Sequence, residues 1–137
     1  MSAYPLFERC ASVILPLVLE ARWYDIIAVG TKREEYRLAT EYWQARVFAW
    51  AERLKPGTQP VIEFRRGYAS DAPRMAFACA MVKNPARFYG YLPFGFVAAH
   101  DNHKPRHPDW GEPGNAHFYF RLACRVRLVN TSKGSSE

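Results

Sequence analysis

The pattern of hydrophobic and polar positions opens with a strand followed by a short helix. Residues 13–19 form an apolar run that predicts a buried strand, in which Pro16 favours an edge position or a bulge. Residues 20–29 are predicted to be helical, and the core face of this helix consists of Leu19, Trp23, Ile26 and Ile27. Gly30 stands where the left-handed C-terminal cap of such a helix belongs.

A short polar strand and a second helix follow. Residues 32–38 are typical of the strand, and Thr40 is a good N-cap for a helix over 41–54. Apolar side chains recur on one stripe of this helix, which consists of Trp43, Val47, Trp50 and Leu54. We expect both tryptophans to pack in the core, and Lys55-Pro56-Gly57 to end the helix.

The second half of the chain changes to the periodicity of strands. Residues 61–64 and 75–82 are predicted strands, with a loop over 67–73 between them, and 84–116 is the least regular stretch. The clearest strand is 118–129, whose apolar face consists of Phe118, Phe120, Leu122, Cys124, Val126 and Leu128. Strands that flank two early helices predict an α+β fold with a small curled sheet or barrel.

Length and composition indicate one globular domain. The chain has 137 residues, of which 49% are hydrophobic and 23% charged, so a largely disordered chain is excluded. We predict a loose arm over 1–12, the domain over 13–129 and a disordered tail over 130–137. The longest apolar run is too short to span a bilayer, and it is not a convincing signal peptide because it lacks a basic n-region and a small-residue cleavage site. We therefore expect a cytoplasmic protein with no membrane partner.

The cysteines and the charge balance narrow the class of partner. The three widely spaced cysteines, Cys10, Cys79 and Cys124, are expected to be reduced packing thiols. Nineteen Lys and Arg against thirteen Asp and Glu give a net charge of +6, and most of the basic residues are arginines. Arginine suits phosphate recognition, and the 15% of aromatic residues supply stacking surfaces, so a nucleic-acid partner is favoured.

One octet concentrates these residue types. Residues 30–37 have the pattern G-x-K-x-x-E-x-R, with Lys32, Glu35 and Arg37 as the charged members. On a regular strand Glu35 and Arg37 share one face and Lys32 takes the other, whereas a bulge near Gly30 or Lys32 brings all three together. The alternative is an exposed strand with surface ion pairs, which contribute little to stability.

The octet and two further segments resemble the ASCH domain, a family with a PUA-like β-barrel. Residues 41–46, Glu-Tyr-Trp-Gln-Ala-Arg, are similar to a Y-W-x-x-R motif of a bacterial and phage-borne subgroup. Residues 61–68 resemble the strand of that subgroup that ends in a Gly-Tyr turn. The resemblance covers about 13–128 and implies an α+β fold, a small PUA-like β-barrel flanked by two early helices.

The resemblance also implies a function. ASCH domains are proposed to bind RNA in a cleft beside the barrel, and some members resemble ribonucleases or amidohydrolases of acylated cytidine. Lys32 matches the lysine of the amidohydrolase type, but Glu35 stands where those members carry threonine. We therefore expect a domain that binds nucleic acid, RNA or a modified nucleotide. The alternatives are a small hydrolase with Lys32 and Glu35 as catalytic residues, and an interaction module with no nucleic-acid partner.

Candidate nucleic-acid-binding residues extend beyond the octet. The full set is Lys32, Arg37, Tyr42, Arg46, Arg65, Arg66 and Tyr68. Tyr42, Arg46 and Tyr68 are expected to line a base-stacking cleft, and the paired arginines to contact phosphates. The alternative for Tyr42 and Arg46 is a solvated helix edge. A second group consists of Arg121, Arg125 and Arg127. Its preferred interpretation is a charged outer face, and the alternative is a stripe that binds nucleic acid.

A polar loop brings together histidine and aspartate, which are ligands for divalent metals. Its members are His100, Asp101, His103, His107 and Asp109. Their spacing matches no defined metal motif, and Pro105 and Pro108 interrupt it. We therefore interpret the segment as a solvated or phosphate-facing basic loop, and we expect no metal and no cofactor.

Overall fold

A computed structural model describes residues 11–84, 90–98 and 116–128. These residues form two helices and eight strands. The elements in chain order are β1 (Ala11–Leu19), α1 (Ala21–Ala28), β2 (Glu34–Leu38), α2 (Glu41–Glu52), β3 (Thr58–Arg66), β4 (Arg74–Cys79), β5 (Val82–Asn84), β6 (Gly90–Leu92), β7 (Gly95–Ala98) and β8 (Ala116–Val126).

The principal sheet is mixed and curls into a half-barrel. Its strand order is β1-β3-β4-β8-β2, and β7 also pairs with β8. The β1–β3 pair is parallel, whereas β4 and β8 are antiparallel to their neighbours. The register of β4 against β8 shifts between Phe77 and Cys79, and such irregularities increase the local bend. The α+β class and the curled sheet are thus as the sequence predicts.

The core lies between this sheet and the two helices. Helix α1 contacts β1 and β3, and α2 contacts β1. The largest fully buried side chains include Trp50, Phe64, Phe118, Phe120, Leu17, Ile27 and Ile62. Trp50 donates its indole N–H to the carbonyl of Val13 at 2.8 Å and packs edge-on against Phe120. This bond satisfies the one polar atom of the side chain, so its burial carries no unpaired-donor cost.

Both predicted helix caps are present. Gly30 has a φ of +87° and donates to the carbonyl of Ile27, while Thr31 donates to the carbonyl of Ile26, each at 3.0 Å. This pair of bonds is the Schellman arrangement, which needs a left-handed residue at the position of Gly30. The hydroxyl of Thr40 accepts from the N–H of Trp43 at 3.2 Å and caps α2. Pro16 lies exposed on β1, at the sheet edge, as predicted.

Several expectations differ from the observed fold. The predicted strand 75–82 divides at Cys79, because β4 ends there and β5 begins at Val82. The described parts of the stretch 84–116 are largely extended, since they contain β6, β7 and the first residue of β8. Of the predicted arm over 1–12, residues 1–10 lie outside the described residues, and residues 11 and 12 belong to β1. The predicted tail over 130–137 and the loop over 100–109 also lie outside the described residues. Among the helices described, neither is long and apolar enough to cross a membrane.

The two cysteines in the described part of the chain differ from each other. Cys79 is buried and donates its thiol to the carbonyl of Pro93 at 3.0 Å. Burial raises the pKa of Cys79 to about 12, which is expected of a packing thiol. Cys124 is exposed, so its assignment to the packed face of the last strand is wrong. The apolar alternation of β8 is buried only as far as Leu122.

Candidate functional site

The charged members of the octet come from two adjoining elements. Lys32 lies in the turn that follows the cap of α1, where its backbone N–H donates to the carbonyl of Ile26 at 3.2 Å. Glu35 and Arg37 lie on one face of β2, two residues apart. Because Lys32 precedes β2, strand alternation does not require its side chain to lie on the face opposite Glu35 and Arg37. The cap turn, rather than a strand bulge, lets its side chain reach Glu35.

The side chains of Lys32 and Arg37 converge on the carboxylate of Glu35. Lys32 Nζ lies 3.2 Å from Oε1, and Arg37 Nε lies 3.1 Å from Oε2. Glu35 is buried, and the side chains of Lys32 and Arg37 are only 22% and 19% exposed. A buried carboxylate needs such partners, because desolvation of an unpaired charge is costly. The exposed-strand alternative is therefore wrong for this octet.

Arg37 also connects the two ends of the curled sheet. Its Nη2 donates to the backbone carbonyl of Val18 at 2.9 Å. Val18 lies on β1 and Arg37 on β2, the two end strands of the main sheet path. The guanidinium thereby satisfies an edge carbonyl and holds the two edges beside each other.

A cleft of about 320 Å³ opens where β1 and β2 face each other. The end of β1, the start of α1, β2 and the start of α2 contribute to its wall. The charged and aromatic lining residues are Glu20, Trp23, Lys32, Glu35, Tyr36, Arg37 and Trp43. This volume lies at the lower end of the range for small-molecule sites.

Two tryptophan rings cover the cations of the cleft. Lys32 Nζ lies 4.9 Å from the ring centroid of Trp23, and Arg37 Cζ lies 5.1 Å from that of Trp43. Both distances are within the range of cation–π attraction. Trp43 packs against the core, as expected from its helical stripe, and it also lines the cleft, which the stripe did not predict.

The sequence reasoning missed Trp23 as a site residue. Helical spacing placed it on the core face of α1, and it does pack against the core. Its position over Lys32 depends on how the cap turn folds back toward α1. The one available signal was that an aromatic residue lies on the helix immediately before the charged octet.

Tyr42 and Arg46 lie next to the cleft but are not among its lining residues. Both are in the first turns of α2, and Tyr42 is 62% exposed. Arg46 Cζ lies 5.4 Å from the ring centroid of Tyr42 and 5.7 Å from that of Trp43. The two residues are thus connected to the cleft through Trp43, and their exposure fits a helix edge.

The remaining three candidates lie outside the cleft lining. Arg66 forms a two-bond ion pair with Asp25 at 3.0 and 3.1 Å, and this hydrogen bonding lowers the pKa of Asp25. Arg65 donates to the backbone carbonyls of Tyr68 and Ala69, which orders the turn after β3. Tyr68 is exposed on that turn. Tyr68, like Tyr42 and Arg46, is not among the residues that line this cleft, and nucleic-acid contacts by these residues stay a prediction.

The described residues also bear on metal binding and on the arginines of the last strand. Residues 11–84, 90–98 and 116–128 contain no group of three or more His, Cys, Asp or Glu side chains placed to hold a metal ion. Arg121 pairs with Glu34 at 3.4 Å, and Arg125 and Arg127 are exposed, which agrees with a charged outer face.

Comparisons with protein-family models, curated proteins and solved structures give no match.

Proposed function

We propose that this chain is an ASCH-type domain with a PUA-like barrel that binds nucleic acid, RNA or a modified nucleotide, in the β1–β2 cleft. The observation that carries the proposal is the convergence of Lys32 and Arg37 on buried Glu35, beneath the rings of Trp23 and Trp43. The ordered motifs of the sequence support the same family.

The cleft combines the two kinds of contact that a nucleotide uses. Glu35 holds both cations in place, and each cation has more N–H donors than its described contacts use. These donors suit phosphate or carbonyl oxygens, and the tryptophan rings suit a nucleobase. The volume of about 320 Å³ fits one nucleoside-sized group.

The test compares two neighbouring cations. Lys32→Ala removes a cation of the cleft, and Arg33→Ala removes an exposed cation one residue away that does not line it. In a titration with labelled single-stranded RNA, we expect Lys32→Ala to weaken binding about tenfold, because a charged hydrogen bond is lost. Arg33→Ala should change affinity much less. Equal losses in both variants would reduce the binding to general charge attraction.

A second candidate function is hydrolysis of RNA or of an acylated nucleoside, with Lys32 and Glu35 as the catalytic residues. The 3.2 Å contact between these side chains within a cleft is the observation that favours it. An ammonium that donates to a carboxylate suits stabilisation of an oxyanion better than proton abstraction. In this case Lys32→Arg keeps part of the turnover of acylated cytidine or short RNA, and Lys32→Ala abolishes it. If the wild-type protein shows no turnover, hydrolysis is rejected and nucleic-acid binding remains as the proposed function.

A further inference from the structure

A row of cations and aromatic rings leaves the cleft along the first turns of α2. Arg37 lies over Trp43 at 5.1 Å, Arg46 lies 5.7 Å from the same ring, and Arg46 lies 5.4 Å from Tyr42. The rings of Tyr42 and Trp43 meet edge to face at 5.2 Å. We call the outer pair, Tyr42 and Arg46, the α2 ledge. It is continuous with the cleft because Trp43 contacts both.

The outer end of this row is more exposed than the inner end. Arg37 and Trp43 are half-buried, and Tyr42 and Arg46 are exposed. Arg46 forms no salt bridge with any residue of the described part of the chain, whereas Arg37 pairs with Glu35, which it shares with Lys32. The ledge therefore presents an uncompensated positive charge beside an accessible aromatic ring.

This combination suits one class of ligand. An aromatic face accepts any nucleobase by stacking, and a guanidinium held beside it binds the phosphate that links two nucleotides. Contacts with two rings restrict Arg46 before any ligand arrives, so less side-chain entropy is lost on binding. A mononucleotide held in the cleft has no second base to place on Tyr42.

We propose that the cleft and the α2 ledge together bind two consecutive nucleotides of a single strand. One nucleotide occupies the cleft, and the neighbouring base stacks on Tyr42 while Arg46 binds the intervening phosphate. This inference rests on the proposed function of the cleft. It specifies the ligand as a polymer of at least two nucleotides rather than a free nucleotide.

The experiment compares ligands that differ by one nucleotide. Isothermal titration with the four nucleoside 5′-monophosphates and the corresponding 5′-phosphorylated dinucleotides measures the gain in affinity from the second unit. We expect a gain of about tenfold in at least one pair for the wild-type protein, the size of one stacked base. Tyr42→Ala should remove that gain and leave mononucleotide affinity within about twofold.

Two further variants complete the design. Arg46→Ala should lower dinucleotide affinity and reduce the slope of its salt dependence by about one. Tyr91→Ala is the matched control, because Tyr91 is 61% exposed, close to Tyr42, but lies on β6. This control should bind both ligands as the wild type does.

The outcomes separate the ledge from the cleft. Equal binding of mononucleotides and dinucleotides by the wild type, or an undiminished gain in Tyr42→Ala, overturns the ledge and leaves the cleft in place. An equal loss of both ligands in Tyr42→Ala also overturns it, because the effect then belongs to the cleft or the fold. No binding of either ligand by the wild type overturns the proposed function as well.

Discussion

The two ends of helix α2 use the same residue type for different purposes. Trp43 and Trp50 lie on one helical stripe, seven residues apart. Trp50 is fully buried, donates to the carbonyl of Val13 and packs on Phe120. Trp43 is half-buried, and Arg37 and Arg46 lie against its ring.

The difference follows from where each end of the helix lies. Helix α2 starts at Glu41, three residues after β2 ends, so its first turn lies beside the edge where the sheet is open. Its later turns contact β1 and the core. An apolar stripe therefore contributes to the core at one end and to a ligand-accessible wall at the other.

The largest expected effect is on Trp50. Trp50→Ala removes a fully buried ring and leaves the carbonyl of Val13 without its donor, so we expect a loss of about 3–5 kcal/mol in the free energy of unfolding. Urea denaturation followed by circular dichroism measures it. The comparison between the helix ends fails if Trp43→Ala costs as much.

The second largest expected effect is on the buried carboxylate of Glu35. Glu35→Ala leaves Lys32 and Arg37 without their shared partner in a mostly buried site, and we expect a loss of about 2–4 kcal/mol in unfolding free energy. The same urea experiment applies, with Glu52→Ala, which removes an exposed carboxylate from the last turn of α2, as control. A cost no larger than that of the control would show that the charged cluster is not a stabilising feature.

The third effect shifts from stability to binding. Trp43→Ala should cost only about 1–2 kcal/mol of stability, because the ring is half-buried. We expect it to weaken binding of single-stranded RNA about tenfold, through the lost stacking face. Trp43→Phe keeps an aromatic face and should recover part of the affinity. Unchanged affinity in both variants would place the ligand elsewhere.

The smallest effect is at the exposed ion pair on the other side of α1. Arg66 holds the pKa of Asp25 below its ordinary value of 3.8, since hydrogen bonding favours the carboxylate. The pair therefore stabilises the fold above that value, and its contribution is lost as the pH falls through the lower native pKa.

The urea midpoints of the wild type and Asp25→Asn should differ slightly above about pH 5 and converge in more acidic solution. Asp71→Asn, in the exposed loop after β3, is the control and should show no such convergence. A difference that grows on acidification would contradict the assigned sign. A small effect here beside a large one for Glu35→Ala would show how burial sets the value of an ion pair.

The sequence by itself determined the local structure where short-range chemistry decides it. Gly30 and Thr40 marked helix boundaries because their cap bonds join residues within one turn. Pro16 indicated an edge strand because proline lacks the donor that a central strand needs. Alternation along β8 predicted the buried face as far as Leu122, but not the exposure of Cys124. The position at which β8 stops being covered depends on the elements packed against it, which alternation does not encode.

Only the tertiary structure decided which of these residues meet. Lys32 reaches Glu35 because the cap turn of α1 folds back beside β2, and Arg37 reaches Val18 because the sheet curls until its end strands face each other. The same curling leaves Trp43 at the cleft and Tyr68 away from it. The Arg37–Val18 contact joins residues 19 apart in the chain, and no local propensity or spacing encodes the distance between them.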